Sequence, residues 1–175
     1  MKNNNSKKGF TLIELLVVIA IIGVLSGVIM QSLTYTRQNS RDTIRKDQLN
    51  GLRTAITSYF TTIGSYPSTG GVWFSSEVGD AVSNYGGDWI PGLVSGAYIS
   101  ALPKDPVGGA GAPNHPCTSP WKRAYLYRSD GIHYKLISMC ALESSYPDAN
   151  NTFYDPARPT YSIQVTDDPA TTATW

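Results

Sequence analysis

Hydrophobic and polar positions divide the chain into four stretches. Met1 to Gly9 reads MKNNNSKKG, short, polar and basic. Phe10 to Met30 is an apolar run of 21 residues with one charge, Glu14. As a helix it rises about 31 Å, enough to cross a bilayer core. Gln31 to Ile63 contains no proline, and Leu52, Ile56, Tyr59 and Ile63 recur at 4, 3, 4 spacing. Ile44, Leu49, Ala55 and Phe60 join them. The pattern predicts that the helix continues as an amphipathic spine able to pack on a globular domain. Phe10 to about Ile63 would then extend about 80 Å. Gly64, with Ser65-Tyr66-Pro67 beyond it, predicts the stop, since glycine accepts a left-handed cap and proline bars continuation.

From residue 64 to 175 the texture changes to a loop-rich head. Ser68 to Gly111 is dense in turn signals: Thr69-Gly70-Gly71, Asn84-Tyr85-Gly86-Gly87, Pro91-Gly92, Pro103, Pro106 and Gly108-Gly109. Apolar anchors such as Val72, Trp73, Phe74, Trp89, Ile90, Leu93, Tyr98 and Leu102 lie between them. This predicts an ordered layer laid on the helix, with a short helix near Glu77 to Val82. The aromatics read as core rather than as a sugar-binding platform. Ala124–Arg128 and Ile132–Ser138 flank Ser129-Asp130-Gly131, and Asp-Gly between alternating runs predicts a β-hairpin. Tyr161–Val165 supplies a third strand. The polar tail after Val165 is either loose or pinned by Trp175.

The acid at Glu14 is the most informative single residue. A charge inside such a segment costs at least ~3 kcal/mol near its centre. No Lys, Arg or His between Phe10 and Met30 can pair with it. The partner must come from another chain, a new N-terminus or the bilayer surface. An ordinary secretory signal is cut after its apolar run, and no small-residue cleavage site follows Met30. The special place is the polar-to-apolar junction, Lys8-Gly9-Phe10-Thr11-Leu12-Ile13-Glu14. This run resembles the leader and processing site of type IV pilins and type II secretion pseudopilins, over Lys7 to about Gly27 and in general plan to about Ile63.

The resemblance implies an α+β fold of the pilin type: a long N-terminal helix, apolar in its first half, with a small antiparallel sheet and loop-rich head packed on its second half. It implies a leader at 1–9, a transmembrane and filament-core helix at 10–30, its amphipathic continuation at 31–63 and a head at 64–175. A prepilin peptidase would cut between Gly9 and Phe10 on the cytoplasmic side and methylate the freed Phe10 amine. Gly9 suits a cleft that must approach the backbone closely. In the filament, the Glu14 carboxylate would pair with the Phe10 amine of a neighbouring subunit and so select register. Gly23 and Gly27, four apart on one face, would let subunit helices approach. The implied partners are copies of the chain in a helical filament, the peptidase, a pilus or secretion assembly platform, and the bacterial inner membrane before assembly. The implied location is that membrane, single-pass with the N-terminus cytoplasmic, and then an extracellular or periplasmic filament. The alternative is a monomeric membrane-anchored binding module that keeps its leader.

Charge adds little to this picture. The chain has 14 basic and 13 acidic residues, a net +1, and losing the leader's three lysines would leave 11 against 13. The leader lysines favour a cytoplasmic N-terminus. Arg37, Arg41 and Arg45 form an i, i+4, i+8 row. It reads as a solvated stripe helped by Asp42 and Asp47, and three arginines on a near-neutral chain give no nucleic-acid signature.

Two cysteines, Cys117 and Cys140, read most simply in an exported head as one disulfide enclosing the hairpin. The other reading is two thiols with Cys140 buried. The sequence holds no G-x-S-x-G, P-loop, H-E-x-x-H or dinucleotide fingerprint. His115 and His133 are its two histidines, and His133 reads as an exposed strand position. No enzymatic role and no resident cofactor are expected. Oxygens of Asp148-Ala149-Asn150-Asn151, Asp155 or Asp167-Asp168 are candidates for calcium but match no EF-hand spacing.

Overall fold

The computed structural model describes residues 9–77, 84–109 and 122–175, with backbone alone at 84–85. Helix α1 runs from Leu12 to Ile63 without interruption. It stops where the sequence predicts: Gly64 has φ +85° and its amide donates to the Phe60 carbonyl at 2.8 Å. That left-handed residue ends the helical hydrogen-bond ladder at little steric cost.

The chain forms two units, residues 1–38 and 39–175. In the first, the α1 side chains are exposed almost throughout: Leu16, Ile19, Ile22 and Met30 are among the large apolar residues in solvent. In the second, α1 buries Asp42, Arg45, Leu49, Leu52, Ala55 and Ile56. Their 3–4 residue spacing makes one stripe. Ile44, Phe60 and Ile63, expected on that stripe, are exposed instead. The stripe's first turn is occupied by an acid and an arginine.

Among the described residues, five strands form one sheet: β1 Phe74–Ser75, β2 Asn84–Tyr85, β3 Ala124–Ser129, β4 Tyr134–Met139 and β5 Ser162–Thr166. Their order is β2-β1-β3-β4-β5. β1, β3, β4 and β5 each run antiparallel to the next, and β2 lies parallel to β1 at the edge. The hairpin forms at Asp130-Gly131 with Ser129 opposite Tyr134. Asp130 Oδ1 accepts the amides of Ile132 and His133, both at 2.8 Å, and Gly131 takes φ +95°. His133 therefore sits in the turn, one residue before β4, rather than in the strand.

Alternation sorts the sheet's two faces. Tyr125, Tyr127, Tyr134, Leu136, Ile163 and Val165 pack with Leu49, Leu52 and Ile56 of α1 and with Trp89, Ile90 and Leu93. The loop-rich layer thus closes the core as expected. Gly92, at φ +80°, brings its backbone so close to Tyr59 that a Cβ would lie 3.1 Å from the ring. The expected short helix at Glu77 to Val82 falls largely outside the described residues.

The opposite face carries Ala124, Leu126, Ile137, Met139 and Cys140, packed with Trp73 and Tyr161. Lys135 is also on it, fully buried, its Nζ donating to Asp155 Oδ1 at 2.8 Å and to the carbonyls of Thr172 and Trp175 at 3.2 and 3.0 Å. The tail is therefore pinned: a 3-10 turn, Thr171–Thr174, returns it to the sheet, and the Arg128 guanidinium lies 4.7 Å from the Trp175 ring centroid.

Candidate functional site

Gly9 and Phe10 are exposed and precede the helix, Phe10 at 89 % exposure. Thr11 is the first residue to organise it. The Thr11 amide and hydroxyl donate to Glu14 Oε2 at 2.8 and 2.7 Å, and the Glu14 amide donates back to Thr11 Oγ1 at 3.3 Å. This reciprocal arrangement is a capping box, which satisfies amides that a helix start otherwise leaves without partners. Such caps contribute about 1 kcal/mol. Sequence reading missed it, although Thr-x-x-Glu ahead of an apolar run is its signature. It also gives the Glu14 carboxylate hydrogen-bond donors inside its own chain, neither of them a cation.

Beyond Glu14 the helix is long and apolar enough to cross a membrane. Its exposed side chains leave Gly23 and Gly27 in an open strip, and a Cβ at either would meet nothing within 4 Å. Folding of the chain itself therefore makes no demand for glycine there.

A second cluster organises the head around α1. Arg45 is fully buried, which overturns the reading of Arg37, Arg41 and Arg45 as a solvated row. Its Nε and Nη2 form a fork on Asp105, at 2.6 and 3.0 Å. Its Nη1 reaches Asp42 at 2.7 Å and Glu143 at 3.3 Å. Arg41 Nε binds the same Glu143 at 2.6 Å. Asp42 in turn accepts the Ser144 amide and hydroxyl at 2.8 and 2.6 Å, and Asp105 accepts the amides of Val107 and Gly108. Burial alone would lower the Arg45 pKa, but the Asp105 carboxylate and its neighbours hold it above the ordinary value. Burial likewise favours protonated Asp105, and the Arg45 fork outweighs it, keeping the acid below its usual range. Glu143 is lowered chiefly by its bond from Arg41. The cluster ties the helix to two loops distant in sequence, and nothing in it is free to react.

Other expected positions are engaged elsewhere. Asp155 holds Lys135, Asp167 Oδ2 meets His133 Nδ1 at 2.8 Å, and Asp168 accepts the Thr171 hydroxyl at 2.6 Å. No three acids, histidines or cysteines gather into a metal set among the described residues. Cys140 is fully buried just past β4, at φ +57°. Cys117 lies outside the described residues, as does His115.

The prokaryotic N-terminal methylation motif matches residues 4–30. By this N-terminal segment, the chain is similar to type IV pilins. A fimbrial protein of Neisseria meningitidis serogroup B is 38 % identical over 80 residues, 43 % of this chain and 46 % of that protein. The type IV major pilin protein PilA of Myxococcus xanthus is 30 % identical over 112 residues, 63 % of this chain and 49 % of its own length. The type IV wide pilus major component PilA4 of Thermus thermophilus is 51 % identical over 43 residues, 25 % and 33 % of the two chains. The chain thus spans about half, or less, of the length of these pilin relatives. No solved structure matches it.

Proposed function

We propose that this chain is a structural subunit of a type IV pilus or of a related secretion pseudopilus. A prepilin peptidase removes residues 1–9 and methylates Phe10, and the subunits polymerise through Phe10–Met30. The observation that carries this reading is a coincidence of place: the methylation motif overlies the exposed apolar first part of α1, whose single acid sits in the helix's first turn. Such a surface needs a membrane or other helices to cover it. Before assembly the inner membrane does so, with the N-terminus cytoplasmic and the head outside. Afterwards copies of the same helix do. Gly23 and Gly27 are points of close approach, and Glu14 is the assembly acid that takes the Phe10 amine of a neighbour.

The test is intact mass and N-terminal analysis of protein sheared from native cells, together with filament yield from Glu14→Ala. The expected chain starts at Phe10 and is about 14 Da heavier than its sequence, from one methyl group. Glu14→Ala is expected to be cleaved and inserted yet to give no filaments. A chain that starts at Met1 and stays in membranes would replace this reading with the anchored binding module. Normal filament yield from the variant would remove Glu14 from assembly.

A further inference from the structure

The structure assigns a modification site at Asn150: we propose that its carboxamide nitrogen is the acceptor for an N-linked glycan. Asn-x-Ser/Thr, with x not proline, is the acceptor signal for this linkage, and the sequence contains it twice. Asn4-Asn5-Ser6 falls in the expected leader, on the cytoplasmic side. Asn150-Asn151-Thr152 falls in the head, and Asp148 stands two residues before the asparagine. The leader tripeptide has Lys2 in the position of that acid.

Accessibility separates this tripeptide from a chance match. Asp148, Ala149, Asn150, Asn151 and Thr152 are five consecutive exposed residues. On one side the chain is anchored by half-buried Tyr146, and on the other by Phe153 and Tyr154, the latter bridged to Ile163 of β5. The segment between these anchors is an exposed loop of the head. Its internal hydrogen bonds use other groups. Asp148 Oδ1 accepts the Asn150 amide at 3.1 Å, the Asp148 carbonyl accepts the Asn151 amide at 3.0 Å, and Asn151 Oδ1 accepts the Phe153 amide at 3.0 Å. Among the described residues, no hydrogen bond occupies the Asn150 carboxamide or the Thr152 hydroxyl. The threonines of α1 differ: Thr54, Thr57, Thr61 and Thr62 all donate their hydroxyls to the helix backbone. The two groups that a transferase must grip are the two that folding leaves unused.

The donor is a polyprenyl-diphosphate-linked oligosaccharide. The Asn150 nitrogen forms a bond to the anomeric carbon of the first sugar. The bond from that carbon to the diphosphate oxygen breaks, its electron pair leaves on the lipid diphosphate, and one amide proton passes to a carboxylate of the transferase. The reaction takes place outside the cytoplasmic membrane, so the proposal rests on the export of the head inferred above.

The experiment is peptide mass spectrometry of the full chain from native cells, with the N-terminus read on the same sample. The peptide containing Asn150 is expected to carry a mass increment made of whole sugar residues. Asn150→Gln and Thr152→Ala should each abolish it, Thr152→Ser should retain it, and the melting curve of each variant should match that of the unsubstituted protein. A glycan that survives Asn150→Gln would place the modification elsewhere and overturn the assignment. So would an unmodified peptide. If that peptide comes from a chain starting at Phe10, the glycan proposal fails alone. If it comes from a chain starting at Met1, the filament reading fails as well.

Discussion

Replacing Arg45 with methionine keeps much of the side chain's volume and removes its charge. Asp105 is left with two backbone donors, and Asp42 with those of residues 143 and 144. Both acids remain almost wholly buried, at 7 % and 3 % exposure. Removing one partner of a buried pair costs about 3–5 kcal/mol, because the remaining charge stays desolvated without its partner. For a unit of this size that lowers the melting temperature by about 10–20 °C. Thermal unfolding followed by near-ultraviolet circular dichroism on the detergent-solubilised chain reads the loss. Arg45→Met combined with Asp105→Leu should be less destabilised than the sum of its single variants, because the double variant no longer strands that acid. The acid limb should move too. Asp105 and Glu143 have lowered pKa values in the folded chain, so their contribution is present above the ordinary carboxylate range near 4 and is lost as pH falls through the folded values. Without Arg45, burial of Asp105 is opposed by the Val107 and Gly108 amides but no longer by the guanidinium fork, and unfolding should begin at a higher pH. A single variant that loses less than about 1 kcal/mol, as an exposed ion pair would, or two single effects that simply add, would refute a buried, coupled cluster.

Three further outcomes are expected. His133 is raised above its ordinary value, first by its bond to Asp167 and then by the charges of Asp167, Asp130 and Asp168. The stability from this pair is complete below about pH 6.5 and fades as pH rises through the folded His133 value; Asp167→Asn should bring the His133 NMR titration back toward 6.5, and an unchanged midpoint would dismiss the pairing. Gly9→Leu should slow leader removal and leave a heavier precursor on a gel, whereas processing at the normal rate would show that the peptidase does not need a bare backbone there. Cys117 and Cys140 are proposed to form a disulfide, so the non-reduced intact mass should fall about 2 Da below that of the dithiol, and reduction should cost about 3 kcal/mol in unfolding experiments.

Much of the architecture was legible because local chemistry and long-range packing agree. Gly64 ends the helix for reasons contained in a few residues, and Asp130-Gly131 turns the hairpin for equally local ones. Trp89, Ile90 and Leu93 enter the core as their apolarity demands. β1 and β2 were not legible, since two-residue strands leave no alternation to read and are fixed by pairing alone. The burial of Arg45 was not legible because an i, i+4, i+8 row looks the same buried or solvated. Its decisive partners lie 60 and 98 positions away. Asp42, three residues before Arg45, was visible but fits either reading. Of the N-terminal segment, Gly9, Phe10 and Glu14 stood out at once. Thr11 did not, because its role lies in the geometry of its bonds to Glu14 and not in its charge or apolarity.

That geometry has a consequence for how a cation would meet Glu14. Both Thr11 donors converge on Oε2, so the capping box does not draw on Oε1. An amine arriving from outside the chain has no need to displace Thr11, and the helix start can keep its cap. The side chain is also already confined to one orientation. A free glutamate gives up as much as ~1.5–2 kcal/mol of rotamer entropy when it is fixed; here folding has absorbed that loss before any encounter. The acid is a preorganised acceptor, and the free energy of a contact made there goes into the contact rather than into ordering the group that makes it.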